Sequence, residues 1–250
     1  MNLFKILKTK ISEPYKFAKF FSKATTQSIS SGIIPNKRKQ GFLEKLLLWV
    51  RGNLFIPDAR IGWVKPSVSY LKNYLKENSV DMIITTGPPH SLHLIGLELK
   101  ETTGITWIAD FRDPWTNIGY HNELKLTDRS KNKHLNLEKK VLNEADHILV
   151  TSPTTKSEFS KLTKKEITVI TNGYDVEYVA KKPLDSKFSM AHIGSFLSDR
   201  NPRVLWKSLA EILKENEDFR NDFELKLIGK VSQEILDVIN EFKLTNYVNN

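Results

Sequence analysis

The chain contains no cysteine and no long hydrophobic run. Without cysteine, disulfide bonds and thiolate metal sites are excluded, and a reducing cytoplasm is the natural setting. The most apolar stretch runs from Leu46 to Val50 and lies between Lys45 and Arg51. It is far shorter than the roughly 20 residues that a membrane-spanning helix needs. The first residues lack the apolar core and cleavage site of a signal peptide. These absences predict a cytoplasmic protein.

Several motifs of enzymatic chemistry are also missing. No Asp-x-Asp pair occurs, which disfavours a transferase that holds its donor phosphates through a divalent metal. The dinucleotide-binding pattern G-x-G-x-x-G, the P-loop and the G-x-S-x-G nucleophile motif are all absent. His90 and His93 are one helical turn apart, but no third ligand stands nearby. The sequence therefore predicts neither a metal site nor a cofactor.

Positive charge is concentrated at the start of the chain. Residues 1–45 hold ten lysines and arginines and two acidic residues, so +8 of the total charge of +9 lies there. Phenylalanines interleave with these lysines, and we expect such a helical segment to contact an anionic membrane surface peripherally. The alternative is a solvated basic helix that packs on its own domain. Nucleic-acid binding is disfavoured because no nucleic-acid-binding motif occurs.

From residue 80 onward, short runs rich in β-branched residues alternate with helical patterns. This alternation predicts an α/β fold with parallel sheets covered on both faces. The predicted strands are Val80–Thr86, Ile105–Phe111, His147–Thr151, Glu166–Thr171, Phe188–Ile193 and Phe223–Ile228, with another starting near Tyr247. The predicted helices span residues 90–103, 128–145, 154–162, 202–216 and 231–243, and earlier ones cover Phe42–Val50, Pro66–Lys76 and part of the start.

A boundary between two α/β units is predicted near residues 172–187. Asn172 and Gly173 form a turn signal, and Lys181-Lys182-Pro183 is polar and breaks helices. We therefore expect one domain over residues 1–175 and a second over residues 187–250.

The first candidate site follows the strand that ends at Thr86. Ligands of open parallel sheets bind beyond the carboxyl ends of the strands. Here Gly87 and two prolines lead to His90 and Ser91 at a helix start, where free N–H groups favour an anion or a sugar hydroxyl. We predict that Gly87, His90 and Ser91 bind the acceptor or the transferred sugar. A rigid loop with a capping serine is the alternative.

The second candidate site follows the strand that ends at Phe111. Asp110 is a carboxylate inside a predicted buried strand, and Arg112 and Asp113 come directly after it. Arg112 has the geometry to clamp a phosphate or carboxylate, and Asp113 to accept hydrogen bonds from sugar hydroxyls. We predict that all three are catalytic residues. A structural ion pair between Asp110 and Arg112 is the alternative.

The third candidate site follows two strands of the second unit. Gly194 and Ser195 lead to Arg200, and Asn201-Pro202 is a strong helix-start signal. A glycine that permits close approach, free N–H groups and an arginine suit a diphosphate. Gly229 and Lys230 are predicted to form a second contact with the nucleotide. For both loops, an ordinary connection is the alternative.

These residues resemble glycosyltransferase family 4, whose GT-B fold has two facing Rossmann-like domains. The similarity is strongest in DMIITTGPPHSLHLIGLELKETTGITWIADFRDPWT, where TGPPHS and IADFRDPW are specific. FIPDARIGWVKPS, AHIGSFLSDRNPRVLWKSL and LKLIGK extend it over about residues 42–248. The similarity is to a subgroup of bacterial enzymes that build surface polysaccharides.

The resemblance implies a retaining, metal-independent transfer of a sugar from a nucleotide sugar to a glycan or lipid-linked acceptor. It implies that the acceptor lies in the first domain and the donor in the second. The loop with Arg112 and Asp113 would reach the transferred sugar, while Gly194 and Arg200 would hold the diphosphate. The family also has an early glycine-rich loop and a late glutamate pair that this chain lacks. We therefore expect both sheets to be incomplete and the chain to be inactive alone.

Two other classes remain open from the sequence. A nucleotide-sugar epimerase shares the two-domain fold but needs a deeply enclosed site with acid and base carboxylates. A non-catalytic domain would bind a membrane or a partner through residues 1–45.

Overall fold

The computed structural model describes residues 42–117, 124–174 and 183–249. These residues form two compact units, one before and one after residues 175–182. The basic segment of residues 1–41, including its predicted helix, lies outside the described residues. Within the described residues, no helix is long and apolar enough to cross a membrane.

The first unit is a four-stranded parallel sheet with helices between its strands. Two helices, α1 (Phe42–Leu54) and α2 (Val64–Glu77), precede it, and a short 3-10 turn, Ile61–Trp63, leads into α2. The strands and helices of the sheet region then alternate as β1 (Met82–Gly87), α3 (Ser91–Thr103), β2 (Thr106–Phe111), α4 (Asp128–Glu144), β3 (His147–Val150), α5 (Pro153–Phe159) and β4 (Ile167–Val169). The strands lie in the order β1-β2-β3-β4 and all pair in parallel.

The core of the first unit lies between one face of this sheet and its helices. Trp107, Ala109 and Phe111 alternate along β2 and are fully buried against residues of α3 and α4. Their neighbours in the sequence point to the other face, where Ile84 of β1 stays 59% exposed. Alternate side chains of the edge strand β1 therefore remain open on this second face, whereas Ile108 and Asp110 of β2 are half-buried there.

The second unit is a three-stranded parallel sheet in the order β5-β6-β7. Its elements are β5 (Phe188–Ile193), the 3-10 turn Ser198–Arg200, α6 (Arg203–Glu215), α7 (Glu217–Asp222), β6 (Phe223–Ile228), α8 (Gln233–Glu241), a second 3-10 turn at Thr245–Tyr247 and β7 (Val248–Asn249). Its separate core packs Trp206 and Leu209 of α6 and Ile235 of α8 against Leu225 and Leu227 of β6. The predicted α/β class with two parallel sheets is confirmed.

Local signals explain where several helices begin. The Thr127 side chain accepts a hydrogen bond from the Ser130 N–H and caps α4, and Ser152 caps α5 in the same way. At α6 the expected cap is wrong. The Asn201 side chain instead accepts a hydrogen bond from the indole of Trp206 at 2.7 Å, and Pro202 occupies the cap position.

Candidate functional site

The loops after β1, β2 and β3 begin side by side at the carboxyl edge of the first sheet. The pairing register places Gly87 opposite Phe111, and Phe111 opposite Val150. The edge is therefore where the predicted site residues of the first unit meet, as expected for an open parallel sheet.

Arg112 connects all three loops. Its N–H donates to the Gly87 carbonyl at 2.8 Å, and its Nη2 donates to the Pro88 carbonyl at 2.6 Å. Its own carbonyl accepts a hydrogen bond from the Thr151 hydroxyl at 2.9 Å. The backbone of Arg112 is thus fixed on both sides, while its side chain remains exposed at the edge.

Asp113 and Asp110 have different surroundings. Asp113 is exposed and has no hydrogen bond or ion pair within the described part of the chain, so its carboxylate is available to a ligand. Asp110 accepts a hydrogen bond from the hydroxyl of Thr86 on the neighbouring strand. It is half-buried rather than buried as predicted, because it lies on the open face of the sheet. Its oxygens form no ion pair with Arg112, so the alternative of a structural ion pair between them is wrong.

His90 and Ser91 are buried. Asp58, which lies 33 residues earlier, accepts hydrogen bonds from the Ser91 N–H at 2.7 Å and from its hydroxyl at 2.9 Å. The indole of Trp63 also donates to the Ser91 hydroxyl, at 2.9 Å. The expectation of an open N–H group at Ser91 is therefore wrong, since Asp58 already satisfies it. Both residues are almost inaccessible to solvent, so the predicted contact of His90 and Ser91 with a sugar stays a prediction.

Gly87 is required by close packing beneath the same loop. A Cβ atom added there would stand 2.6 Å from Nε2 of His93. His93 is buried, and its Nδ1 lies 2.9 Å from the Thr85 hydroxyl. The Trp107 indole donates to the same hydroxyl at 2.9 Å, so Thr85 joins the two buried rings. Burial, and secondarily the nearby His90, lowers the pKa of His93 well below its usual value, so the ring is neutral.

A buried polar layer supports the loop that follows Asp113. The ring of His90 stacks on Trp115, with centroids 4.9 Å apart, and the Trp115 indole donates to Nδ1 of His134 at 3.2 Å. Glu138 accepts two hydrogen bonds from Thr116. Burial raises the pKa of Glu138, while the hydrogen bonds from Thr116 act in the opposite direction.

Asp58 and Glu138, which hold the start of α3 and the loop after β2, are not among the residues that the sequence predicts for the site. Glu138 could have been found, because it follows His134 by four residues and precedes Val141 by three, which places it on the buried face of α4. No pattern in the sequence around Asp58 indicates its role, because its partner, Ser91, lies 33 residues later.

In the second unit, the turns at Gly194 and Gly229 cross each other and are in direct contact. Gly194 and Gly229 have φ angles of +121° and +125°. The Gly194 N–H donates to the Ile228 carbonyl at 2.8 Å, and a Cβ on Gly229 would stand 2.4 Å from the Gly194 oxygen. The Phe196 N–H donates to the Lys230 carbonyl at 2.8 Å and extends the contact between the loops. The two predicted diphosphate loops are therefore adjacent.

The charged side chains on these two loops are open to solvent. Arg200 ends the 3-10 turn, and its guanidinium has no hydrogen bond or ion pair among the described residues. Lys230 and Ser195 are exposed as well. Within residues 42–117, 124–174 and 183–249, no group of three His, Cys, Asp or Glu side chains could hold a metal ion.

The chain is similar to known proteins both in sequence family and in fold. The model of "Glycosyltransferase Family 4" matches residues 33–178, which is more than half of the chain. No curated protein matches. A solved structure of a Staphylococcus aureus TarM mutant, in complex with fondaparinux, alpha-GlcNAc-glycerol and UDP, superposes with a TM-score of 0.50 at 14% identity. That match covers 77% of this chain and 36% of the TarM chain. Sucrose-phosphate synthase from Thermosynechococcus elongatus gives a TM-score of 0.49 at 18% identity over 76% of this chain and 49% of its own.

This chain thus spans about a third of the TarM chain, and the likeness to TarM shows the fold alone. The family match covers Arg112, Asp113 and the rest of the first-sheet edge. The chain belongs to glycosyltransferase family 4.

Proposed function

We propose that the protein carrying this chain transfers a sugar from a nucleotide-sugar donor to a glycan or lipid-linked acceptor. One observation carries the proposal. Arg112 and Asp113 project into solvent at the carboxyl edge of a parallel sheet, and the backbone that bears them is fixed by hydrogen bonds. Two polar groups held open at such an edge suit a ligand rather than the stability of the fold. Both lie within the span of the family match.

The first unit would take the acceptor and the reacting sugar. The Asp113 carboxylate would accept hydrogen bonds from sugar hydroxyls, and Arg112 would offset negative charge that develops on the leaving phosphate. Gly87 contributes by letting the β1 loop pack closely on His93, so that Pro88 reaches Arg112. Asp110, which is half-buried at the same edge, would place a second carboxylate near the reacting sugar.

The second unit would take the donor. The crossing of the Gly194 and Gly229 loops creates a surface without side chains where a diphosphate could approach the backbone. Ser195, Arg200 and Lys230 stand exposed on the same two loops and supply a hydroxyl and two cations. These cations would neutralise the diphosphate without a metal ion, in keeping with the absence of an Asp-x-Asp pair. We expect transfer with retention of the anomeric configuration.

We further propose that the reaction serves surface polysaccharide or glycolipid synthesis at the cytoplasmic face of the membrane. TarM was solved with UDP and with alpha-GlcNAc-glycerol, so a protein of this fold binds a nucleoside diphosphate and a glycoside. The basic segment of residues 1–45 would bring the enzyme to an acceptor in an anionic membrane.

The test is a screen of nucleoside-diphosphate sugars with the whole protein that carries this chain. A lipid-linked glycan extract serves as acceptor, in the presence of EDTA. We expect release of the nucleoside diphosphate that depends on the acceptor, and a product whose anomeric proton shows retention by NMR. Conversion of the donor to an epimeric nucleotide sugar without an acceptor would identify an epimerase instead. No turnover of any donor, with or without magnesium, would contradict the proposed function.

A further inference from the structure

Helix α4 holds the loop that carries the candidate catalytic residues. The Thr116 N–H donates to Oε1 of Glu138 at 3.1 Å, and the Thr116 hydroxyl donates to Oε2 at 2.6 Å. One turn earlier on the same helix face, His134 accepts the hydrogen bond from the Trp115 indole. Consecutive loop residues are therefore held by side chains from adjacent turns of one helix.

The same loop is held at its other end by the β1 loop. Arg112 is bonded to the carbonyls of Gly87 and Pro88, and the stack of His90 on Trp115 is nearly parallel, with an interplanar angle of 4°. Between these two anchors lie Asp113 and Pro114. Proline fixes its own φ and restricts the residue before it, so few backbone conformations remain for Asp113.

Packing alone does not explain a glutamate at position 138, because burial of its carboxylate is destabilising. It is 1% exposed and lies one helical turn before Val141 and Leu142, two core residues of α4. A buried carboxylate carries a desolvation cost that its hydrogen bonds only partly offset, and an apolar side chain of similar volume packs without that cost. What an apolar side chain cannot provide is two acceptors aimed at one loop residue.

We propose that Glu138, assisted by His134, is a positioning residue that fixes residues 112–116 so that Arg112 and Asp113 meet the reacting sugar in one geometry. Neither Glu138 nor His134 touches the substrate. The inference rests on the proposed function, since it assigns Glu138 a part in the same site. It predicts that damage to the anchor lowers turnover more than it lowers substrate binding.

The test compares three variants of the anchor with one control, all made in the whole protein that carries this chain. Glu138→Ala removes both acceptors. Glu138→Gln keeps an acceptor for the Thr116 N–H and offers an N–H group to the hydroxyl oxygen, so it should restore the anchor. Thr116→Val removes only the hydroxyl and should fold even if Glu138→Ala does not. Glu144→Ala, at the exposed end of α4, is the matched control.

We expect kcat to fall at least about tenfold in Glu138→Ala and several-fold in Thr116→Val, with KM little changed, because misplacement of a catalytic group is costly. Glu138→Gln and Glu144→Ala should stay within about twofold of the wild type. In an Asp113→Asn background, Glu138→Ala should cost much less than it does alone, because both substitutions act through one loop. If Glu138 has only a structural role, Glu138→Ala should lower the melting temperature. Its effect on kcat should then be the same with and without Asp113→Asn.

Amide hydrogen exchange gives a readout that does not need activity. The Thr116 amide should exchange faster in Glu138→Ala than in the wild type and be protected again in Glu138→Gln. Unchanged exchange, or faster exchange with undiminished kcat, would overturn the inference while the proposed function stands. A wild-type protein without transfer activity would contradict the proposed function, and the exchange data alone would then decide whether Glu138 holds the loop.

Discussion

The Arg112 guanidinium donates from Nη2 to the carbonyl oxygen of Pro88 at 2.6 Å, so one side chain joins the loops that follow two neighbouring strands. A cation held in this way keeps its remaining N–H groups directed to solvent. The next residue, Asp113, is exposed beside it. A cation and a carboxylate are thereby fixed as neighbours at the sheet edge without neutralising each other.

Substitution of either residue should affect turnover more than folding. In the whole protein that carries this chain, we expect Asp113→Asn and Arg112→Ala each to lower kcat/KM at least about tenfold, or about 1.4 kcal/mol of barrier. The melting temperature should change little, because Asp113 has no partner among the described residues and Arg112 loses one exposed hydrogen bond. Asp81→Asn, just before the opposite end of β1, is the control for a lost surface charge. Steady-state kinetics with unchanged turnover would remove both residues from the site.

Arg200 should contribute to nucleotide binding. Its guanidinium is exposed beside the crossing glycine loops, so it is available for a charge-assisted hydrogen bond to a phosphate. In the whole protein that carries this chain, we expect Arg200→Ala to weaken nucleoside-diphosphate binding by about 1.5–3 kcal/mol, as measured by calorimetry. Lys214→Ala, at the far end of α6, removes one exposed charge from the same unit and should leave the affinity unchanged. Equal affinities for wild type and Arg200→Ala would show that the Gly194–Arg200 loop is only a connection.

The secondary structure could be predicted from the sequence more completely than the site. The bounds of β5 and β6 were predicted to the residue, because each is a mainly apolar run closed by a glycine turn. The exposed placement of Arg112 and Asp113 also follows from their position after a strand. The burial of Ser91 does not, because it depends on Asp58, which only the folded chain brings to the start of α3. Local patterns indicate where a helix starts, but not which distant side chain caps it.

The basic start of the chain should bind anionic membranes. Residues 1–41 lie outside the described residues, so this prediction rests on charge alone. We expect the protein to sediment with vesicles that contain an anionic lipid at low salt and to dissociate as salt rises, since screening shortens the range of attraction. Replacing Lys5, Lys8 and Lys10 by glutamine should weaken binding. The same change at the exposed Lys161, Lys164 and Lys165 should not. Equal binding to neutral vesicles would contradict an electrostatic contact.

The two crossing glycines of the second unit should differ in their tolerance of alanine. Both have φ angles that favour glycine, so an alanine is strained by about 1–3 kcal/mol at either. At Gly229 the new Cβ also meets the Gly194 oxygen at 2.4 Å, whereas at Gly194 it enters open space. We therefore expect Gly229→Ala to lower the melting temperature of the second unit more than Gly194→Ala. Gly173→Ala, with open space and no such φ, is the control. Equal decreases in melting temperature would show that the two loops move apart around the new Cβ of residue 229 with no further loss of stability.

The stability of the first unit should depend on pH through His93. Burial lowers the pKa of His93, so below the ordinary histidine pKa of about 6.5 the unfolded chain binds a proton that the folded chain does not. His93 therefore does not reduce the free energy of unfolding above about pH 6.5. Below that pH the free energy of unfolding decreases, by up to about 1.4 kcal/mol for each pH unit. Glu138 has the opposite sign: its raised pKa lets the folded state bind the extra proton, so its contribution decreases as the pH rises above the ordinary glutamate range.

Denaturant unfolding at about pH 5.5 to 7.5 separates these contributions. We expect His93→Gln to be less stable than the wild type at about pH 7, because it disturbs the packing against Gly87, but to show a flatter dependence on pH. The glutamine oxygen can still accept the hydrogen bond from Thr85, which limits the loss. His147→Gln, at an exposed histidine of the same sheet, is the control for the substitution itself. If His93→Gln retains the wild-type dependence on pH, the ring of His93 takes up a proton as readily in the folded state as in the unfolded chain, which contradicts a pKa lowered by burial.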